Sequence, residues 1–175
     1  MASPRIYKYI DNLSDADTTV AFLTANRVPA STKGKEFQYK FLYDSHVNSY
    51  WLYKWKLEET DKCKVCKVHS DNIKHVYWDC CYTSQFWLEF TEWWNTAHPI
   101  ITLSITDVFI GVNDKTLCGF IFLAKQYIYF KRCNNDPPDM RTWLPYARKI
   151  REIEMSIAKR NNTLDICLEK WQFMD

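Results

Sequence analysis

Four residues of this chain have the types and spacing to hold a metal ion: Cys63 and Cys66 two residues apart, His75 after eight more, and Cys80 after a further four. A Cys-x2-Cys turn offers two thiolates from one tight loop, and zinc takes four soft or borderline ligands in a tetrahedron. His75 and Cys80 supply the other arm. Four protein ligands leave no position for water, so the spacing predicts a structural zinc site and not a hydrolytic one. The five-residue offset does not stack His75 and Cys80 on one straight helical face. His75 should therefore lie on a short helix that ends before or at Cys80, which folds back to close the site. Ser70, Asp71 and Asn72 are the candidate caps of that helix. Cys81 is an alternative to Cys80, and His69 to His75, although Cys-x2-Cys-x2-His makes a cramped loop. Chance clustering in a Cys-rich reduced protein is the plain alternative. A thioredoxin-type redox pair competes less well, because this Cys-x2-Cys sits in a Lys-rich loop with no apolar strand before it. A hydrolase would need an opened site with Glu58 or Glu59 as base.

Cations and aromatic rings surround the four. Lys54, Lys56, Lys62, Lys64, Lys67 and Lys74 alternate with Tyr53, Trp55, Tyr77 and Trp78. Lysine heads contact phosphates while aromatic faces stack on bases, which is the chemistry of single-strand binding. The opposing reading gives the lysines to solvent and most of these aromatics to packing, since a metal unit of this size has almost no other core. The formal charge of the whole chain is only +2. It is unevenly spread: residues 33–74 carry nine Lys against six acids, residues 120–160 nine Lys/Arg against four, and residues 79–119 one Lys against five. The second basic region, Arg148, Lys149, Lys159 and Arg160 joined by Lys131 and Arg132, reads mainly as a solvated helix face.

The elements that must position these groups are helical. Residues 1–32 suggest one or two short helices and a turn-like Pro29 to Gly34. Phe37, Phe41, Leu42, Val47, Trp51, Leu52 and Trp55 predict a helical pair over 35–57, the second capped by Asn48. From Tyr82, the rings of Phe86, Trp87, Phe90, Trp93 and Trp94 share one helical face opposite Gln85, Glu89, Thr91 and Glu92, with Leu88 out of pattern. Ser104 to Gly111 predicts a capped short helix closed by the glycine. Leu117 to Arg132 is apolar nearly all round and predicts a central buried helix, stopped by Pro137-Pro138. Thr142 to Lys159 predicts a long helix that tolerates Pro145 in its first turn, ended by Asn161-Asn162 and followed by a short helix over 163–173. The fold class expected is mainly α, with a small Cys/His knuckle between helices and any strand confined to it. Three parts are expected: an N-terminal segment 1–34, a helical lead-in with knuckle (62–81) and aromatic helix over 35–97, and a helical region over 98–175.

With 175 residues the chain can bury a real core, and aromatics at 17% call for a dense core or stacking surfaces. Seven cysteines form an odd set, unlike a disulfide framework; the start shows no apolar leader, and the longest apolar tract, 117–130, is too short to span a bilayer. An intracellular, reduced protein with no membrane partner is expected.

The residues also resemble a family. The runs Phe37 to Tyr43 and Val47 to Leu57, then Cys63-Lys-Val-Cys66, Ile73-Lys-His75-Val-Tyr-Trp-Asp-Cys80 and Gln85-Phe-Trp87, resemble the zinc-binding region downstream of the polymerase in LINE-type (non-LTR) retrotransposon reverse transcriptases. Thr106 to Gly111 and Leu123 to Cys133 are similar to the helical tail of such proteins, so the resemblance runs from about residue 37 onward. The family's acidic residue before Ile73 is represented only by Asp71. The resemblance implies handling of RNA or single-stranded DNA beside an upstream polymerase domain, in the nucleus or a cytoplasmic ribonucleoprotein. Polymerization needs carboxylates that hold two metal ions, and no Asp-Asp pair follows an aromatic-small dipeptide in this chain; Gly34, Gly111 and Gly119 build no phosphate loop. A non-catalytic accessory is therefore expected, with Lys62, Lys64, Lys67, Lys74, Trp55, Arg148 and Lys149 as nucleic-acid contacts. The competing expectation is a protein-interaction module whose aromatic groove at Trp87, Phe90 and Trp94 docks a partner.

Overall fold

The computed structural model describes residues 5–10, 15–27, 32–172 and 174. Eight α-helices follow one another among them: α1 Asp15–Arg27, α2 Thr32–Leu42, α3 Ser49–Lys54, α4 Cys81–Asn95, α5 Ile105–Ile110, α6 Lys115–Cys133, α7 Met140–Arg160 and α8 Leu164–Trp171. A 3-10 turn, Arg5–Tyr9, precedes them, and a wide helical turn, His75–Asp79, joins the knuckle to α4. No strand forms among the described residues. One isolated bridge, Lys62 to Ser70, lies inside the cysteine unit, where the sequence confines any β structure.

The helix α6 is the axis of the fold. Its residues Leu117 to Lys125, Tyr127 and Ile128 are all buried, as an apolar sequence without a polar stripe requires. It packs against α2 on one side and α7 on another, and touches the turn that carries His75. Most of the aromatic excess is spent here. Trp143 of α7 is fully buried between Phe90 and Trp93 of α4, at ring separations of 5.4 and 5.1 Å, with Phe86 and Phe120 at 6.3 Å. One large apolar cluster runs from Ile6 to Met174 through α1, α2, α4, α5, α6, α7 and α8, and Ala25, Cys118 and Phe122 form a smaller one.

Caps set the boundaries. Asn48 accepts from the Trp51 N–H at 3.1 Å, Asp114 from Leu117 at 2.9 Å and Asp139 from Arg141 at 3.0 Å, while Ser104 and Asp107 cap α5 reciprocally. With only three glycines, the chain closes most of its helices on other residues. Asp44, Lys56, Asn135 and Asn162 each take a positive φ, between 51° and 59°, just past α2, α3, α6 and α7. In each case the next N–H reaches back to a carbonyl in the last turn, as Asp136 does to Lys131 at 2.9 Å and Thr163 to Ala158 at 3.0 Å. Gly111, at φ 106°, closes α5 as expected, and a Cβ there would lie 2.7 Å from Thr24 Cγ2 of α1.

Four sequence expectations are corrected. Thr32, Lys33 and Gly34, read as a turn, open α2, where Gly34 is buried; Pro29 to Ser31 of that turn, and Phe173 of the expected terminal helix, lie outside the described residues. The helix α6 is stopped by the left-handed turn at Asn135, ahead of Pro137-Pro138. Because α7 starts at Met140, Pro145 is its sixth residue, past the first turn, where it has no N–H to offer the carbonyl of Arg141. Ile153 and Ile157, which a helical wheel places on the apolar half of α7 with Trp143 and Ala147, are about half exposed.

Candidate metal site

The loop from Asp61 to Asp71 is a tight closed turn. Its base is tied by Asp71 N–H to Asp61 O at 2.8 Å and Cys63 N–H to His69 O at 2.9 Å. At its tip the Lys67 N–H reaches Cys63 O at 2.8 Å and the Cys66 N–H reaches Cys63 Sγ at 3.3 Å. Lys67 pays for this geometry with a left-handed φ of 62°.

Asn72 then caps the next element, accepting from the His75 N–H at 3.0 Å. Of the three cap candidates, Asn72 takes the role. The turn that follows solves the five-residue spacing. Cys80 N–H bonds His75 O at 2.9 Å, an i to i+5 closure wider than an α turn, which brings residue 75 over residue 80. A widened turn frees carbonyls, and α4 satisfies them: Thr83 Oγ1 donates to Val76 O at 2.9 Å, Trp87 Nε1 to Tyr77 O at 2.8 Å and Ser84 Oγ to Trp78 O at 2.6 Å. Trp87 therefore holds the site's own turn.

The outcome is a group of Cys63, Cys66, His75 and Cys80 whose ligand atoms all lie within 4.8 Å of one another. Tetrahedral zinc–thiolate bonds place neighbouring sulfurs about 3.8 Å apart, so the group needs little adjustment to take a metal. Cys66 Sγ and His75 Nε2 are 3.3 Å apart. Cys81 and His69 are exposed and stand outside the group, His69 facing the His75 ring at 5.6 Å. The site is electrostatically prepared for a cation. The Cys80 thiol donates to Cys63 and holds it far below the usual thiol range against burial, helped by His75, the Cys66 N–H and Arg132. The same contact pushes Cys80 well up. Burial opposes the Cys66 thiolate and the charged form of His75, but the His69 and Val68 N–H groups lower the first, and the Cys63 and Cys66 sulfurs raise the second.

Around the group, Lys62 and Lys67 are exposed and carry no ion pair among the described residues. Lys64 pairs with Glu58, and Lys74 with Asp79 at 3.0 Å. Trp55 is 54% exposed and stacks on Trp51, at 6.1 Å and 25°. Tyr77 is fully buried, bonded through its hydroxyl to His46 Nδ1 at 2.8 Å, so it offers no stacking face. Arg148 and Lys149 are exposed on α7, whose neighbours are α4, α6 and α8; no described contact joins them to the knuckle. The groove expected at Trp87, Phe90 and Trp94 does not exist as drawn, because all three rings are in the core. A neighbouring cleft of about 420 Å3 is lined by Trp87, and by neither Phe90 nor Trp94, beside Trp78, Leu88 and Leu103.

The buried charge pairings of Asp71 and Lys125 were not read from the sequence. Asp71 accepts the Ser49 N–H at 2.8 Å and pairs with Arg132, whose Nη1 also donates to Cys63 Sγ at 3.4 Å. Lys125, wholly buried in α6, donates to Gln38 Oε1 at 2.6 Å and Val108 O at 2.8 Å and lies over the rings of Phe41 and Phe122.

No helix among the described residues is long and apolar enough to cross a membrane. No curated protein matches the chain. The family comparison agrees with the geometry at the place where it counts: residues 3–87, just under half of the chain and including all four clustered side chains, match the family described as zinc-binding in reverse transcriptase.

Proposed function

We propose that this chain is a zinc-dependent nucleic-acid-binding accessory, of the kind found in the tail of LINE-type reverse transcriptases, with the metal in a structural role and no catalysis of its own. Zinc, once bound, supplies the crosslink that joins the loop at 61–71 to the turn at 75–79. The four protein donors fill its coordination, and a closed tetrahedron activates no water. The residues then do the rest. The loop presents Lys62 and Lys67 to solvent, and Asp71 fastens it to the start of α3, which ends at the exposed Trp55.

The placement of two exposed lysines without an ion pair among the described residues on the metal-binding loop is the observation that carries this reading. RNA or single-stranded DNA suits it, because unpaired bases can stack while phosphates meet the lysines. Lys64 and Lys74 are secondary contacts, since each must exchange a carboxylate partner for a phosphate. Arg148 and Lys149 would bind only a strand long enough to reach α7. An upstream reverse transcriptase domain is the protein partner the family match suggests.

The test is a tryptophan-fluorescence titration of the zinc-loaded chain with RNA, single-stranded DNA and duplex at two salt concentrations. Binding of single strands that weakens steeply with salt supports the proposal. Binding that is absent, or indifferent to salt, overturns it.

A further inference from the structure

The charge partner of the knuckle comes from the far end of the chain. Arg132 belongs to the last turn of α6, outside the residues that match the zinc-binding family. Its guanidinium reaches Cys63 Sγ with Nη1 at 3.4 Å and Asp71 with Nη2, and its side chain is only 10% exposed. Asp71 is fully buried and holds the Ser49 N–H, so one guanidinium links the knuckle, α3 and α6. Three thiolates and a neutral imidazole around a dication carry a net negative charge. Burying that charge next to a buried carboxylate is unfavourable unless a cation stands between them. The planar fork of arginine serves two anions at once, which a lysine cannot do with the same geometry.

We infer that Arg132 is a positioning residue of the metal centre: it orients Cys63, offsets the charge of the thiolates and makes metal retention depend on the C-terminal half of the chain. The inference rests on the reading that Cys63, Cys66, His75 and Cys80 hold a metal.

Cobalt(II) is the probe, because its visible bands report tetrahedral thiolate coordination directly. The full chain and its Arg132→Gln, Arg132→Lys and Asp71→Asn/Arg132→Gln variants are loaded with cobalt, and release to a chromogenic chelator is timed. Outer-sphere partners of metal ligands typically govern retention by about 10- to 100-fold, and loss on that scale is expected for Arg132→Gln, with Arg132→Lys between it and the wild type. The double variant leaves no unpaired carboxylate at position 71 and so keeps the test open if the single variant fails to fold; it should release cobalt as fast as Arg132→Gln. A double variant that retains cobalt like the wild type would mean that Arg132 serves only to neutralise Asp71, and the inference would fall. Equal retention by wild type and Arg132→Gln would overturn it as well, with the metal reading intact. A wild-type chain that shows no tetrahedral bands would overturn the metal reading itself.

Discussion

Replacing Lys62 by Gln and Lys67 by Gly together removes the two lysine charges of the loop that have no ion pair among the described residues, with little risk to its fold. Lys67 holds a left-handed φ of 62°, which costs an L-residue about 1 kcal/mol or more. Glycine escapes that strain and gives back a similar amount through its looser unfolded chain, so the stability change should be near zero. Lys62 is exposed and forms no ion pair among the described residues, and a surface substitution of this kind stays within about 0.5 kcal/mol. Binding is where the variant should differ. Each phosphate contact to a single strand contributes about −0.7 to the slope of log K against log salt, so losing two flattens the slope by about 1.4. Between about 50 and about 200 mM salt, the affinity loss should therefore be about sevenfold smaller in the variant than in the wild type. Fluorescence titration with single-stranded RNA at both salts measures this, with melting curves to confirm equal stability. Identical slopes in two equally stable proteins would refute the placement of nucleic acid on the metal-binding loop.

Two further outcomes test the fold that carries the site. Burial lowers the pKa of Lys125 to about 7 from its ordinary 10.5, so between those values the unfolded chain holds a proton that the folded chain has lost. The Lys125 contribution to stability therefore rises as pH climbs through that window. Denaturant titrations should show the difference between wild type and Lys125→Met changing across it, and a constant difference would contradict a buried amine. Trp143→Ala should cost about 3–5 kcal/mol, because the indole is the centre of the aromatic core. Trp143→Phe should cost clearly less in the same denaturant melts, since the buried Nε1 has no hydrogen-bond partner among the described residues.

The helices were legible wherever apolar period and caps agreed. Asn48, Ser104, Gly111 and the pair Asn161-Asn162 mark real ends, and the run from Leu117 is the buried axis it promised to be. The same reading misplaced the start of α2, because Thr-Lys-Gly is turn-like in isolation and only packing decides that Gly34 belongs inside a helix. The spacing of Cys63, Cys66, His75 and Cys80 pointed to a cluster, and the demand that Cys80 fold back was met by a widened turn that no propensity scale signals. Arg132 was out of reach. It looked like one more cation on a basic stretch, and its partners Asp71 and Cys63 lie more than sixty residues away in sequence. Phe90 and Trp94 were assigned to a groove because a helical wheel shows which rings share a face and not what covers them; α6 and α7 do.

The central claim is that four side chains 63, 66, 75 and 80 form a closed zinc site on which the loop at 61–71 depends. Elemental analysis of the purified chain, followed through stepwise chelation by tryptophan emission, tests it most directly. The account predicts one zinc per chain, lost with a cooperative change in emission as Trp87 is released from the turn it braces and Trp78, inside that turn, loses the Ser84 hydrogen bond to its carbonyl. A chain that contains no zinc, and whose emission is unmoved by chelator, would contradict it.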